Sequence, residues 1–587
     1  MLKFFKSVVS TVLGMIVGFV LVILISLGII AAISSGENNT NIKENSILKI
    51  TLDNPIVDRN LDNPFNFDIL NFEGEQKIGL IEILNNIEKA KNDDRIKGIY
   101  MNTEFPNADM GTIEEIRNKL IEFKKETNKF IIAYCEIYTQ KGYYISSVAD
   151  KIYLNPEGGL QFTGLAYEGM FFKNALEKLE IEPQIIRHGK FKAAVEPYML
   201  EKMSIENRRQ VNKFLNSIWN KVLNDIAKSR KVNQNDLFQI VENMKIQKPE
   251  DAINEGLVDG LLYKDQLLDS LKKKLNLDNT QKINFTNNSS YASAKVKSNK
   301  KYSKDKIAII YAYGDINGGE GDDETIGSER ISRAIRNART DETIKAIVLR
   351  VNSPGGSALA SETILREMII AKDKKPIVVS MGDVAASGGY YIAAHADSIV
   401  ANPTTITGSI GVFGVLMNAK KLFNNKLGIT IDTVKTNKYA DMGSIFRALN
   451  ENEKVIIQNS VERIYDTFIT HVSKGRNMSK QEVDKIGQGR VWTGKDALEL
   501  GLVDVLGGLE DAIKIAAKMA KLQGYRIKSL PEQIDPMEEL INNFTGTSKA
   551  YFLKNELGDS YKYYKNINQI INMDELQMRL PLYYEIN

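Results

Sequence analysis

The stretch that decides the fold reads Arg350-Val-Asn-Ser-Pro-Gly-Gly-Ser357 and resumes, after a helical segment, as Gly382-Asp-Val-Ala-Ala-Ser-Gly-Gly-Tyr-Tyr-Ile392. Short apolar runs at residues 346–349 and 376–379 have the length and composition of buried strands. Between them, residues 361–371 show apolar positions at helical spacing. Alternation of short strands and helices predicts α/β units on a mainly parallel sheet, wound right-handed.

Motifs of this stretch recur, in the same order, in the first half of the chain. The matching pairs are Ile96-Lys-Gly-Ile99 with Ile344-Lys-Ala-Ile347, Gly142-Tyr-Tyr-Ile145 with Gly389-Tyr-Tyr-Ile392, Asp150 and Asn155-Pro156 with Asp397 and Asn402-Pro403, and Glu255-Gly-Leu-Val-Asp259 with Leu500-Gly-Leu-Val-Asp504. A fixed internal period is typical of tandem repeats. The sequence therefore predicts two tandem copies of one α/β unit.

Each copy has kept a different part of a possible active site. On the aligned motifs, Ser387 of the second copy corresponds to Gln140, and the Gly355-Gly356 pair corresponds to Asn107-Ala108. Lys192 of the first copy corresponds to Ala440. A serine with a glycine-built pocket in one repeat and an unmatched lysine in the other predict a serine–lysine hydrolase assembled across the two repeats.

Ser387 is the predicted nucleophile. It lies where a strand pattern gives way to a helix pattern, and its small neighbours allow a peptide backbone to approach closely. The N–H groups at a helix start carry partial positive charge. We therefore expect the N–H of Gly388, together with that of Gly355 or Gly356, to bind the oxyanion that forms during attack on a carbonyl. The alternative is that the glycines only permit tight packing.

A serine hydroxyl needs a base, and Lys192 is the predicted one. Its amine must be neutral, which requires burial among apolar groups such as those of residues 193–195. His395 lies about two helical turns after Ser387, too far along the helix to reach back. His471 reads as a surface or core residue, and His188 is a minor alternative. A last rival is Lys190, which has a counterpart in the second repeat, Lys438.

Bulk composition excludes several classes of protein. The chain has 587 residues, 43% of them hydrophobic and 26% charged, which is ordinary for a globular protein with more than one domain. A net charge of +3 does not indicate nucleic acid as a partner. The single cysteine, Cys135, excludes an intramolecular disulfide and a multi-cysteine zinc site. We expect neither a structural metal nor a cofactor.

The N-terminus has the pattern of a membrane anchor. Residues 7–36 contain no charged side chain, and this run is long enough to span a bilayer. Lys3 and Lys6 precede the run and Glu37 follows it. The positive-inside tendency then leaves the N-terminus cytoplasmic and the bulk of the chain outside. A cleaved signal peptide is the alternative, but its apolar region is usually about 7–15 residues long.

The remaining boundaries follow from composition. We predict an anchor at residues 1–36, a first repeat at 47–272 that supplies the lysine, and a second repeat at 306–525 that supplies the serine. Residues 273–305 are rich in Asn, Ser, Lys and Thr and read as a polar linker. Residues 526–587 form a tail in which the sequence indicates no chemistry.

Taken together, these motifs, with Gly189-Lys-Phe-Lys192, Thr407-Gly-Ser-Ile-Gly-Val412 and Gly489-Arg-Val-Trp-Thr-Gly494, resemble the signal peptide peptidase A (protease IV) family in its long, duplicated, membrane-anchored bacterial form. The resemblance extends from residue 7 to about residue 525. It implies a Clp-protease/crotonase-like fold and a dyad of Ser387 and Lys192. It also implies a bowl-shaped homotetramer on the bacterial inner membrane, with the catalytic domain on the outer, periplasmic face, that degrades cleaved signal peptides. A further hypothesis is that Ser409 hydrogen-bonds the lysine amine.

Two other functions stay open at this point. A crotonase-like scaffold can instead serve acyl-CoA chemistry, in which glycine N–H groups polarise a thioester and no serine attacks. The chain could also be a non-catalytic membrane scaffold built on a degenerate peptidase. Labelling of Ser387 by a serine-directed inhibitor separates the first alternative from a peptidase, and cleavage of unfolded peptides separates the second.

Overall fold

A computed structural model describes residues 42–60, 77–296, 302–533 and 576–580, with a few helical residues before position 22. The predicted anchor, residues 1–36, lies largely outside the described residues. Within the parts of the chain that the structure describes, no helix is both long and apolar enough to cross a membrane.

The first half of the chain is built on a six-stranded parallel sheet. In chain order the strands of this half, including three outside the sheet, are β1 (Ser46–Ile50), β2 (Ile56–Val57), β3 (Ile78–Gly79), β4 (Ile96–Met101), β5 (Phe130–Tyr138), β6 (Lys151–Leu160), β7 (Glu182–Arg187), β8 (Gly260–Leu261) and β9 (Asn284–Asn287). The sheet has the order β8-β6-β5-β4-β1-β9, while β2 and β3 pair only with each other.

Helices cover this sheet and bury its apolar strands. They are α1 (Leu80–Asn92), α2 (Met110–Glu126), α3 (Gln140–Ser146), α4 (Lys173–Lys178), α5 (Glu196–Met199), α6 (Ile205–Arg230), α7 (Gln234–Glu242), α8 (Pro249–Asn254), α9 (Lys264–Lys274) and α10 (Asn288–Ala292). The core contains Leu48, Ile99 and Ile131 from the strands and Ile116 and Phe214 from the helices, all fully buried.

The second half repeats the arrangement on an eight-stranded sheet. Its strands and those that follow are β10 (Lys306–Tyr313), β11 (Asp315–Asn317), β12 (Thr325–Gly327), β13 (Ile344–Ser353), β14 (Gly355–Ser357), β15 (Ile377–Ala386), β16 (Ser398–Ala401), β17 (Ile406–Gly408), β18 (Phe413–Asn418), β19 (Val491–Thr493), β20 (Val505–Leu506), β21 (Arg526–Leu530) and β22 (Leu576–Arg579). The sheet runs β19-β17-β15-β13-β10-β21, with β16 and β20 paired beside β15.

Helices alternate with strands in this half too. They are α11 (Ser328–Thr340), α12 (Ala358–Lys372), α13 (Gly388–Ala393), α14 (Glu451–Arg476), α15 (Lys480–Ile486), α16 (Gly494–Glu499) and α17 (Leu509–Met519). The sequence-based prediction of strands at residues 346–349 and 376–379, with a helix over 361–371, is confirmed by β13, β15 and α12. The α/β class is confirmed with them.

Matching hydrogen bonds confirm the duplication. The Tyr143 hydroxyl donates to the Leu257 carbonyl at 2.7 Å, and the Tyr390 hydroxyl donates to the Leu502 carbonyl at 2.9 Å. The pairing of β1 with β4 and that of β10 with β13 also carry a register shift at the same place, after the first residue pair. The two halves therefore share details of geometry as well as motifs.

A third sheet joins the repeats. Its order is β12-β11-β14-β22-β18-β7, so a strand of the first repeat closes a sheet of the second. Strands β7 and β18 pair antiparallel along their whole length, from Glu182 opposite Asn418 to Arg187 opposite Phe413. Lys192 follows β7 closely, so this pairing carries it into the second repeat.

A buried carboxylate, that of Glu115, and a half-buried one, that of Asp383, also tie the repeats together. Glu115, on α2, pairs with the Arg350 guanidinium at 2.8 Å and accepts hydrogen bonds from the Asn402 side chain and the Leu509 amide, at 3.0 and 2.8 Å. In the opposite direction, Asp383 on β15 accepts from the amide and the hydroxyl of Thr112, at 2.7 and 2.6 Å. Asp383 thereby caps α2, a helix of the other repeat.

The structure differs from the predicted linker and tail. Residues 284–292, assigned by composition to the linker, form β9 and α10 and pack against the first repeat, where Tyr291 is buried and donates to Asp93 at 3.0 Å. Polar composition missed this because a few buried side chains anchor the segment. Similarly, β21 and β22 of the predicted tail pair with strands of the second repeat.

Candidate active site

Ser387 lies in a strained turn between β15 and α13. Its φ is +55°, a value that residues with a side chain rarely adopt, and its amide donates to the Gly408 carbonyl at 2.8 Å. A strained strand-to-helix turn of this kind projects a nucleophile from the end of a sheet. The side chain is fully buried, at 0% exposure.

Lys192 and Ser387 are in hydrogen-bond contact. The Lys192 Nζ lies 2.8 Å from the Ser387 Oγ. It also lies 3.0 Å from the Oγ and 3.2 Å from the carbonyl oxygen of Ser409. A neutral amine has two hydrogens and one lone pair. The two oxygens of Ser409 can accept the two hydrogens, which leaves the lone pair to accept the proton of Ser387.

The surroundings of Lys192 disfavour its charge. Its side chain is 0% exposed and lies near Phe413, which packs against Ala194 and Val195. Burial lowers the pKa of Lys192 well below its ordinary value. The loop before β19 packs closely against the backbone of Lys192. A Cβ on Gly489, where φ is +85°, would lie 2.5 Å from the Lys192 Cα, so only glycine fits there.

The three glycines expected to bind an oxyanion come together beside Ser387. A Cβ on Gly388 would lie 3.2 Å from both the Gly355 Cα and the Gly356 nitrogen. The Gly355 amide donates to the Ser353 Oγ at 3.2 Å, and Gly388 is the first residue of α13. A Cβ on Gly356 would lie 2.1 Å from the Ile316 carbonyl oxygen, so the close packing of this turn requires glycine.

The rival bases lie in other environments. Lys190 is exposed, in contrast to Lys192. His188 stacks on Tyr465 and hydrogen-bonds Glu462 at 2.7 Å. The remaining two histidines are His395 and His471, which contact each other at 3.2 Å. Among the hydrogen bonds of the described residues, none joins a histidine to Ser387.

One strand beside this site was missed by the sequence reasoning. Strand β22, in the predicted tail, pairs antiparallel with β14 on one side and with β18 on the other. Its sequence, Leu576-Gln-Met-Arg-Leu580, alternates apolar and polar residues, which is the period of a strand. That alternation is the signal that could have found it.

The tail strand covers the glycines of the site. Its register sets Arg579 opposite Gly355 and Met578 opposite Gly356, and the Leu580 amide donates to the Pro354 carbonyl at 2.8 Å. A Cβ on Gly355 would lie 2.1 Å from the Met578 carbonyl oxygen. The tail backbone therefore touches the glycine pair directly, in the manner of a peptide added to a sheet edge.

At the corresponding position of the first repeat, Gln140 lies beside a cavity. The Gln140 Oε1 accepts from the amides of Thr163 and Gly164, at 3.1 and 2.8 Å, and its Nε2 donates to the Gly164 carbonyl at 3.1 Å. A cavity of about 460 Å³ adjoins it, lined by Phe105, Leu165 and other side chains.

Comparisons with known proteins agree with this geometry. The model of peptidase family S49 matches the chain twice, at residues 123–278 and 370–523. Protease 4 of Salmonella typhi is 34% identical over 551 residues, which cover 91% of this chain and 87% of that protein. Protease 4 of Haemophilus influenzae is 35% identical over 533 residues, 88% of this chain and 85% of that protein.

The similarity extends to a plant protein. The chloroplastic serine protease SPPA of Arabidopsis thaliana is 32% identical over 520 residues, which cover 87% of this chain and 74% of that protein. A solved structure of a ClpP1 mutant from Listeria monocytogenes is 16% identical, covers 35% of this chain and 94% of that chain, and aligns with a TM-score of 0.24. The family model and the full-length relatives decide the assignment: the chain belongs to peptidase family S49 and is a serine endopeptidase.

Proposed function

We propose that this endopeptidase works with a Ser387–Lys192 dyad contributed by its two repeats. The observation that carries the proposal is the 2.8 Å contact between the Lys192 Nζ and the Ser387 Oγ inside a buried site. Desolvation that keeps the lysine neutral turns it into a general base at neutral pH.

The reaction has two halves. In the first, the Lys192 amine takes the proton of Ser387 while Oγ bonds to the substrate carbonyl carbon. The resulting ammonium gives that proton to the leaving amine nitrogen as the peptide bond breaks, and an ester on Ser387 remains. In the second, Lys192 takes a proton from water, whose oxygen attacks the ester, and returns it to Oγ as the acid product leaves.

The glycines serve the charged intermediate in both halves. The N–H of Gly388, at the start of α13, and an N–H of Gly355 or Gly356 bind the carbonyl oxygen as it becomes an oxyanion. Removing one such donor typically costs about 10²–10³ in rate. Gly355 must first exchange its bond to the Ser353 Oγ for one to the substrate.

The substrate class follows from the cleft between β14 and β18. We propose that an extended peptide pairs there as a strand, in the way that β22 does. Met578 and Leu580 of the tail are buried in the apolar interior, so apolar side chains two positions apart suit the cleft. Cleaved signal peptides, whose central region is apolar, fit this description.

The setting of the reaction is also a proposal. The apolar N-terminal run supports a single-pass anchor in the bacterial inner membrane, with the catalytic part on the periplasmic face. We further propose a homotetramer. A relative from Enterococcus faecium, 42% identical over 191 residues, is named putative signal peptide peptidase SppA, which agrees with the substrate class.

Two substitutions test the dyad. Ser387→Ala and Lys192→Ala should each abolish cleavage of an apolar peptide while circular dichroism and thermal unfolding remain those of a folded protein. Lys190→Ala is the matched control, because this neighbouring lysine is exposed, and it should keep full activity. Full activity in either dyad variant would refute the assignment.

A covalent probe separates peptidase chemistry from acyl-CoA chemistry. A serine-directed fluorophosphonate should label the wild type at Ser387, as identified by peptide mass spectrometry, and label Lys192→Ala much more slowly. Absence of labelling together with binding of an acyl-CoA would favour the crotonase-type reaction instead.

A further inference from the structure

We propose that residues 428–440 of one copy of this chain dock onto residues 163–172 and the adjoining Gln140 cavity of a second copy. Assembly is then head to tail, because the surface that docks and the surface that receives it lie on different repeats. The proposal gives the self-association suggested above its contact surfaces, and it is independent of the dyad chemistry.

The docking surface is a run of exposed residues. Residues 425–440 are all exposed, and Val434 is 98% exposed. Leu427, Ile429 and Ile431 also expose between 42% and 56% of their area. Residues 430–435 belong to no helix or strand, and in the described part of the chain their amides make no backbone hydrogen bond. Large apolar side chains that are exposed at short intervals along one segment in this way mark an interaction site.

The repeat identifies what this segment should do. Leu427-Gly-Ile429 corresponds to Leu179-Glu-Ile181, and Asn437-Lys438 corresponds to Gly189-Lys190, so residues 430–435 correspond to β7. Strand β7 pairs antiparallel with β18 of the other repeat. The segment 430–435 is therefore a second β7 whose partner strand is missing from the described chain.

The receiving surface is the corresponding second β18. With the same spacing, residues 165–170 of the first repeat correspond to residues 413–418, which form β18. They belong to no strand, and their burial alternates, with Ala166, Glu168 and Met170 exposed. Among the described residues no strand pairs with them, so their backbone is available to pair with a strand of another chain.

The cavity completes the match. After β7, the loop at residues 189–192 inserts beside Ser387, where Gly489 and Phe413 hold it. After the segment 430–435, the corresponding loop at residues 437–440 is exposed and carries Tyr439. The corresponding site beside Gln140 is the cavity of about 460 Å³. The described chain thus presents both an exposed loop, at residues 437–440, and an open cavity beside Gln140 that corresponds to the site in which loop 189–192 lies.

Pairing on the β7–β18 template fixes the register between copies. It sets Val434 opposite Ala166 and Asp432 opposite Glu168, as Ile186 lies opposite Gly414 within the chain. Contacts of this type are heterologous, and they close into a ring when the rotation between copies allows it.

Disulfide trapping tests the register. Full-length Ala166→Cys and Val434→Cys proteins, carrying different tags, are co-expressed, extracted in detergent and oxidised. We expect a cross-linked heterodimer from the mixture and none from either protein alone. Cys135 does not compete, because it is buried and burial raises the pKa of its thiol to about 12. Phe238→Cys, at another exposed position, replaces Val434→Cys as the control.

Two outcomes decide the trapping experiment. A heterodimer that also forms with Ser387→Ala in the background supports the interface whether or not the dyad assignment holds. Absence of the heterodimer, or equal cross-linking by Phe238→Cys, overturns the interface. Coverage of residues 428–440 by another part of the same chain would give the first of these negative results.

Charge substitutions provide a second test. Asp432 and Glu168 would repel each other across the interface, so Glu168→Lys should strengthen association, and adding Asp432→Lys should remove the gain. The expected change in the dissociation constant, measured by mass photometry, is about two- to fivefold for one cross-strand pair. Val434→Asp should dissociate the assembly, whereas Ile205→Asp, at another exposed apolar residue, should not. Unchanged assembly in Val434→Asp contradicts the proposal.

Discussion

Ser409 offers two oxygen acceptors for the two hydrogens of a neutral Lys192 amine. Its Oγ and its carbonyl oxygen, at 3.0 and 3.2 Å from Nζ, direct the lone pair toward Ser387. Ser409 has a φ of +51°, so the backbone accepts strain to hold both oxygens on one side of the amine. In the proposed dyad, a single serine therefore orients the amine of Lys192.

Loss of the Ser409 hydroxyl should therefore slow the chemical step. We expect Ser409→Ala to lower kcat by about 10- to 10²-fold, the usual cost of a misplaced reacting group, with little change in KM. Ser409→Gly is the matched variant, because glycine suits the positive φ and also lacks the hydroxyl. Steady-state kinetics that leave kcat unchanged in both variants would exclude this role.

The pH dependence of activity should report the state of Lys192. Because burial lowers the pKa of Lys192, the base is neutral and competent above that pKa and protonated below it. We therefore expect kcat/KM to rise with pH through the lowered pKa and to remain high at neutral pH. The same burial predicts that Lys192→Met unfolds at a higher temperature than the wild type at pH 7, since it removes the cost of keeping an amine neutral. A flat profile down to acidic pH would contradict the lysine base.

At this scale the sequence singled out residues that the structure brings into contact, but not the residues that pack around them. Ser387 and Lys192 stand out because each is unmatched in the other repeat, and the predicted contact between Ser409 and the amine is present. The close packing of Gly489 against Lys192 was not predicted, because a close approach of two backbone segments leaves no sequence pattern beyond the glycine itself.

Among the elements, β22 has the most direct influence on access to the site. It fills the cleft between β14 and β18, while Ser387 and Lys192 beneath it are fully buried. The Arg579–Asp315 ion pair, at 2.9 Å, adds a polar contact to the strand. A substrate that binds as a strand in this cleft has to displace the tail first.

Removal of the tail strand should accelerate cleavage of short peptides. If the open state lies a few kcal/mol above the closed one, it is about 0.1–10% populated, so a chain ending at Glu575 should show at least about a tenfold higher kcat/KM. A chain ending at Leu580 keeps the strand and is the matched control, with unchanged kcat/KM. A synthetic peptide of residues 574–582 should compete with substrate in the shortened enzyme. Equal rates for the two truncations would show that the tail does not limit access.

Element prediction succeeded where the apolar pattern is strong and failed where it is short. Strands β13 and β15 and helix α12 were predicted close to their observed positions because each has a long buried face. Strand β9 was missed because it lies in a polar stretch and is held by pairing with a distant strand, and β22 because its alternation extends over only a few residues.

On the scale of the whole molecule, the site depends on how the repeats are held together. Asp383 is half-buried at their junction, and desolvation there, with repulsion from Asp109, raises the pKa of Asp383 to about 7. A carboxyl whose pKa is higher in the folded than in the unfolded chain stabilises the fold fully below the unfolded value, near 3.8, and loses that contribution as the pH rises through about 7.

The junction should therefore weaken between pH 4 and pH 8. We expect the free energy of unfolding of the wild type to fall over this range relative to Asp383→Asn, which keeps an oxygen acceptor for Thr112 and has no proton to lose. Urea unfolding at several pH values, followed by tryptophan fluorescence, measures the difference. Parallel pH profiles for the two proteins would rule out Asp383 as the titrating group.

The duplicated architecture was predictable from the matching motifs, but the junction was not. Glu115, Asp383 and Arg350 look like ordinary charged residues in the sequence, and only their contacts between the repeats reveal their role. The exchange of β7 into a sheet of the other repeat also depends on contacts between distant segments.

The packing of Gly489 against Lys192 joins residues that are synthesised far apart in time. A ribosome finishes residue 192 long before it reaches Ser387, and Gly489, which holds the lysine in position, is made later still. Every translation intermediate that ends before residue 489 therefore lacks Ser387 or the loop that packs against Lys192. With the proposed Ser387–Lys192 dyad, proteolytic competence therefore requires a nascent chain that extends past residue 489.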